Sequence, residues 1–141
     1  VSIEANKDLV RREIHEIWIE RKIDALARFI GDELLEEARE HTQQFLDAFS
    51  DIDIVIEDLI AEGDKVMARL SISATHSGPF AGRPATGEPI SFGSFRIYQV
   101  VEGKIVETWA MQDRLGLMEQ LGLVQTSACH VQWAGGDEQR E

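Results

Sequence analysis

The sequence predicts an α+β fold, a curved antiparallel sheet covered by N-terminal helices. Three observations carry this. Apolar residues in the first third recur at helical spacing; from Ile52 onward they alternate with polar residues; and the alternating runs are joined by short Gly-containing turns instead of helices. No internal repeat or linker interrupts the 141 residues, so residues 1–141 are read as one domain, with an ordered core over about 3–125 and a loose C-terminal tail.

The elements follow in order. Leu9, Val10, Ile14, Ile17 and Trp18 form the first helical stripe, with Ser2 or Asn6 as its cap. Ile23, Leu26, Ala27 and Ile30 form a shorter stripe that Gly31 stops. Leu34, Leu35, Ala38, Phe45, Leu46 and Phe49 mark a third helix. Ile52, Ile54 and Ile56 then alternate with acids up to the turn Glu62-Gly63-Asp64. Val66, Ala68, Leu70, Ile72 and Ala74 make a long half-buried strand, which runs into the Gly- and Pro-rich loop THSGPFAGRPATGEP. Residues 90–101 and 104–113 are strand-like, separated by Glu102-Gly103, and residues 114–121 read as a short helix ending at Gly122. Such a sheet, curling around one face, encloses either a pocket or a packed core.

Composition narrows the partners. The 26 acids and 14 bases give a net charge of −12, which repels phosphate backbones and anionic membranes and argues against a nucleic-acid partner. No run approaches the ~18 apolar residues of a membrane span, and VSIEANKDLVRREIHE carries no continuous apolar signal segment, so a cytoplasmic location is the expectation. Cys129 is the single cysteine, which rules out an intrachain disulfide and a cysteine metal cluster. His15, His41, His76 and His130 lack metal-ligand spacing, and no metal is expected. The Gly-rich stretch 78–87 lacks the lysine and following helix of a phosphate loop and reads as hairpin geometry.

The most informative segment is KIVETWAMQDRLGLMEQLG, residues 104–122. Trp109, Met111 and Asp113 alternate and so share one strand face. Asp113 is a candidate general acid/base if an apolar pocket partly desolvates it. It is equally a candidate cap for the helix that starts at Arg114, worth ~1 kcal/mol. His76, in phase with Val66 and Leu70, either meets a substrate carbonyl or is satisfied by the neighbouring loop. Trp18, Phe95, Ile97, Trp109 and Met111 either wall a pocket for a small, apolar, ring-bearing ligand or belong to the core.

The motifs T-H-S-G-P-F-A-G, P-A-T-G and W-A-x-x-D-R-L-G-L-x-x-Q-L-G, within residues 51–122, resemble the SnoaL-like polyketide cyclases of the nuclear-transport-factor-2-like superfamily. The resemblance implies a cone whose concave sheet face lines an apolar pocket, and an intramolecular aldol condensation, or a related isomerisation, run without metal or organic cofactor. It places the family's acid/base aspartate at Asp113, and it implies a homodimer packed through the broad sheet face. One departure is visible. FIGDELLEEAREH passes almost directly from one helix to the next, where the family usually carries a longer loop. This keeps an alternative open, a non-catalytic small-molecule-binding or assembly module of the same fold.

Overall fold

The computed structural model describes residues 2–124; the expected loose tail, with Cys129 and His130, falls outside them. Helix α1 spans Ile3–Glu13 and is capped by Ser2, whose hydroxyl accepts from the Ala5 N–H at 3.1 Å. Asn6, the other candidate cap, is buried within the helix. Leu9, Val10, Ile14, Ile17 and Trp18 are all buried, as their spacing requires, but the helix changes pitch partway. Ile14–Ile19 form a π-helical turn, in which the Glu20 N–H donates to the His15 carbonyl five residues back at 2.9 Å. The second stripe forms a 3₁₀ turn, Ile23–Arg28, instead of an α-helix.

Helix α2 spans Asp32–Ala48 and has no basic residue in its own last turn. Arg21, held at φ 61° in the reversal between the π and 3₁₀ turns, supplies one. Its guanidinium donates to the Leu46 and Phe49 carbonyls at 2.5 and 2.8 Å, where a helix C-terminus favours a cation. Gly31, read as a helix stop, instead caps the start of α2 with an ordinary φ of −67°.

Four strands follow: β1 (Phe49–Glu62), β2 (Lys65–His76), β3 (Pro89–Val101) and β4 (Lys104–Gln112). They pair antiparallel in the order β1-β2-β3-β4. Glu102 and Gly103 both take positive φ, 49° and 75°, which suits a two-residue hairpin following the sheet twist. Register shifts between Ser50 and Asp53 and between Ile56 and Asp58 bend β1. The curled sheet buries Val66, Ala68, Leu70, Ile72 and Ala74 of β2. These residues, with Phe92 and Tyr98 of β3, belong to the same core as Val10, Ile17, Trp18 and Leu46 of the helical layer.

Two motif segments tie down one end of the sheet. The Ser77 and Gly78 N–H groups both donate to the Ala48 carbonyl at 3.0 Å. A Cβ at Gly78 would collide with the Asp47 carbonyl oxygen, so only glycine allows this approach. At the same end, α3 (Arg114–Gln120) returns across β3. The Gln120 side chain accepts from the Ser91 N–H at 2.8 Å and donates to the Ser91 carbonyl at 2.7 Å. The amide thereby takes the place of a strand partner beyond the end of β4.

The opposite sheet face is open. Register places Ile60, Met67, Ile97 and Trp109 in one row across all four strands, with Phe95 and Met111 paired in the next. Met111 is 78% exposed, Ile60 58% and Phe95 55%.

Candidate functional site

Between the helical layer and the concave sheet face lie two adjoining cavities, of about 210 and 230 Å³. Both are lined by Trp18, His41, Arg96 and Tyr98. The upper one is walled by rings, Trp18, Phe45, Phe80, Phe92 and Tyr98, with Gln44, Gln112 and Arg114 among its polar groups. The lower one is more polar and carries Glu13, Glu37, Thr42 and Thr108.

The π turn builds the centre of this site. Its i to i+5 repeat aligns Glu13 with Trp18, and the indole Nε1–H donates to Glu13 Oε1 at 3.0 Å. Strand β3 brings Arg96 and Tyr98, two residues apart, onto the same inner face. The Arg96 guanidinium lies 5.5 Å from the Trp18 ring centroid and 5.9 Å from that of Tyr98, within cation–π range. Glu13 Oε2, Arg96 Nε and the Tyr98 hydroxyl are buried and have no hydrogen-bond partner among the described residues. Buried polar atoms are rarely left so. Glu13, Arg96 and Tyr98 thus bring unmet hydrogen-bonding capacity to the cavity boundary, of the kind that a water or a ligand's polar group satisfies.

The electrostatics suit proton transfer. Burial pushes the Glu13 carboxyl above the usual range, against the opposing pull of Arg96 and of the Trp18 hydrogen bond. Burial also raises Tyr98 strongly, which keeps its hydroxyl a proton donor. His41 stands at the mouth. Desolvation, and then the charges of Arg96 and Arg114, lower its pKa, with Glu37 opposing.

Of the residues singled out from the sequence, Trp18 alone lines these cavities. Phe95, Ile97, Trp109 and Met111 do not wall them, and the expectation is corrected. Their strand parity places them on the outer sheet face, while Ser94, Arg96 and Tyr98 take the inner one. His76 is fully buried beneath the 78–87 loop, with Nδ1 3.0 Å from the Thr86 hydroxyl and accepting from the Thr86 N–H at 3.2 Å. Asp113 shares the outer parity and is exposed. Its carboxylate accepts from the Gly116 N–H at 2.9 Å, a cap for α3. A Cβ at Gly116 would strike that carboxylate, so within this motif the Gly makes room for the Asp.

Glu13, Arg96, Tyr98, His41 and Arg114 were not anticipated. Glu13 falls on the buried stripe, three residues after Val10 and four before Ile17, which is a detectable signal for an acid facing inward. Arg96 gave no such signal, because both parities of residues 92–98 carry aromatic or aliphatic side chains. Among the described residues no group of three or more His, Cys, Asp or Glu is placed to hold a metal ion, and no helix is long and apolar enough to cross a membrane.

A family model described as SnoaL-like polyketide cyclase matches residues 8–121. No match was found among curated proteins. Among solved structures, TsrD from Streptomyces laurentii is similar at 25% identity and a TM-score of 0.81, covering 88% of this chain and 99% of its own. A candidate polyketide cyclase from Acidithiobacillus ferrooxidans matches at 27% identity and 0.75, covering 86% and 98%. IdmH, a candidate polyketide cyclase from Streptomyces antibioticus, matches at 25% and 0.69, covering 83% and 98%.

Proposed function

The chain belongs to the SnoaL-like polyketide cyclase family, and we propose that it performs cofactor-free acid/base catalysis, an intramolecular aldol condensation or related isomerisation, on a small ring-bearing or polyketide-like substrate. The observation that carries this reading is the convergence of Glu13, Arg96 and Tyr98, each with an unpartnered buried polar atom, at the boundary of an aromatic-walled cavity. A carboxylate takes a proton from a carbon flanked by carbonyls. The resulting enolate carbon attacks a second carbonyl of the same molecule, and the new alkoxide recovers the proton. Arg96 and the Tyr98 hydroxyl donate to the oxygen on which charge develops, in a partly water-excluded site where such donors count most. Substrate and product are isomers, so the balance needs no redox partner.

Two carboxylates are candidates for the proton carrier. Asp113 is the one that the family motif marks. Glu13 is the one that the cavity geometry favours, being buried and raised toward working pH. Turnover of an aromatic β-dicarbonyl polyketide mimic by wild type, Glu13→Gln and Asp113→Asn separates them. We expect Glu13→Gln to lose about 10²- to 10⁴-fold in kcat and Asp113→Asn to stay near wild type. Wild-type rates in both variants would refute a carboxylate mechanism.

A second reading, a non-catalytic binding module of the same fold, is favoured by one observation. The motif carboxylate Asp113 is exposed and engaged as a helix cap, and among the described residues no carboxylate lines the upper cavity. It predicts saturable binding of the mimic without turnover in wild type. Under either reading the exposed apolar row on the outer sheet face supports a homodimer.

A further inference from the structure

The charge inside the upper cavity runs against the charge of the chain. The protein carries −12 overall, yet among the described residues this cavity has no acid in its wall, and it holds Arg96, Arg114 and His41. The three are near enough that both arginines depress the histidine. The acids around them do not cancel this. Glu13 lines the lower cavity and not the upper one. Glu37 also lines the lower cavity. Asp47 lies on the shallow surface beside Arg114 and already accepts from Gln43 Nε2 at 2.7 Å. No ion pair within 4 Å engages Arg96 or Arg114 among the described residues.

From this we infer that the substrate is an acid: a ring-bearing compound whose carboxylate is held at the cavity mouth by Arg114 and His41, with its ring against Trp18, Phe45 and Phe92 and its reacting carbonyl at Arg96. The inference rests on the reading of this cavity as the substrate site. Arginine suits the role because its planar fork meets both oxygens of a carboxylate at once. Arg114 lies at the start of α3, set by the Asp113 cap, and is exposed at the mouth. An incoming anion would therefore meet it before entering. The surrounding negative surface would exclude anions that lack a ring to seat.

The test is calorimetric titration of the protein with 2-naphthoate and with its neutral isostere 2-naphthamide. One charge-assisted hydrogen bond between ligand and protein changes affinity by about 10- to 100-fold. We expect naphthoate to bind tighter than the amide by about that factor, and Arg114→Gln to erase the preference. The exposed position of Arg114 makes this variant safe for folding, and Arg114→Lys should restore part of the preference. Equal affinity for the two probes, or a preference that survives in Arg114→Gln, overturns the inference and leaves the cavity reading standing. Binding of neither probe overturns both.

Discussion

Glu13, the proton carrier that the proposed mechanism favours, is buried at a cost to stability, and replacing it with Gln should expose this. The residue is 4% accessible, Oε2 has no partner among the described residues, and burial raises the carboxyl pKa above the usual 4.5. A carboxyl raised on folding stabilises the native state when protonated. That contribution is complete below the unfolded value and is lost as pH climbs through the folded one. Each unit of separation is worth about 1.4 kcal/mol. Gln keeps the acceptor for the Trp18 indole and never ionises. The stability of wild type minus that of Glu13→Gln should therefore fall with rising pH at up to about 1.4 kcal/mol per unit, and level off once Glu13 is ionised in both states. Urea denaturation of both proteins from pH 4 to 8 measures this. Every other titrating group cancels in the difference unless coupled to the site. A difference that is flat or rises with pH would show that Arg96 outweighs burial, and would refute the assignment of Glu13 as a carboxyl raised by burial.

Other perturbations test the frame. Arg21→Ala removes two charge-assisted bonds from the end of α2 and should cost about 1–3 kcal/mol in chemical denaturation. Gly78→Ala sets a Cβ against the Asp47 carbonyl and should cost at least about 2 kcal/mol, whereas Gly82→Ala, at φ 77° in open space, should cost only about 1 kcal/mol. Asp113→Ala should lose about 1 kcal/mol as the cap is removed, and Asp113→Asn much less, both by thermal melting. Ile97→Glu, in the middle of the outer row, should leave a folded monomer in sedimentation velocity; a wild type already monomeric at micromolar concentration would count against dimerisation through that face.

How much of this was legible depends on which physical signal each part leaves. Period alone announced the sheet, since β2 alternates cleanly from Val66 to Ala74, and Gly63 and Gly103 punctuate it where the chain needs positive φ. Period could not say which face of β3 looks inward. Phe92 and Tyr98 compete with Phe95 and Ile97, and the choice is made by the helices that cover one side and leave the other bare. The candidate site was misread for that reason, and the aromatic wall was assigned to the wrong parity. Asp113 was visible as a cap because capping is local. Glu13 and Arg96 come together only through tertiary packing, across 83 residues of chain. The π turn left no mark that helical periodicity would detect.

That turn carries a consequence for how the site is encoded. On a regular α-helix, residues five apart point about 140° away from each other, so Glu13 and Trp18 would not meet. The wider turn acts as a phase offset, written in the number of residues and not in their identity. Relaxing the segment to α pitch with all its residues in place would carry the indole out of reach of the carboxylate, whereas deleting one residue between Glu13 and Trp18 as well would leave the pair four apart, about 40° from one another on the same face. A relative lacking the extra residue would make the same contact at ordinary α-helical spacing. Length in this short stretch is thus a coordinate of the chemistry.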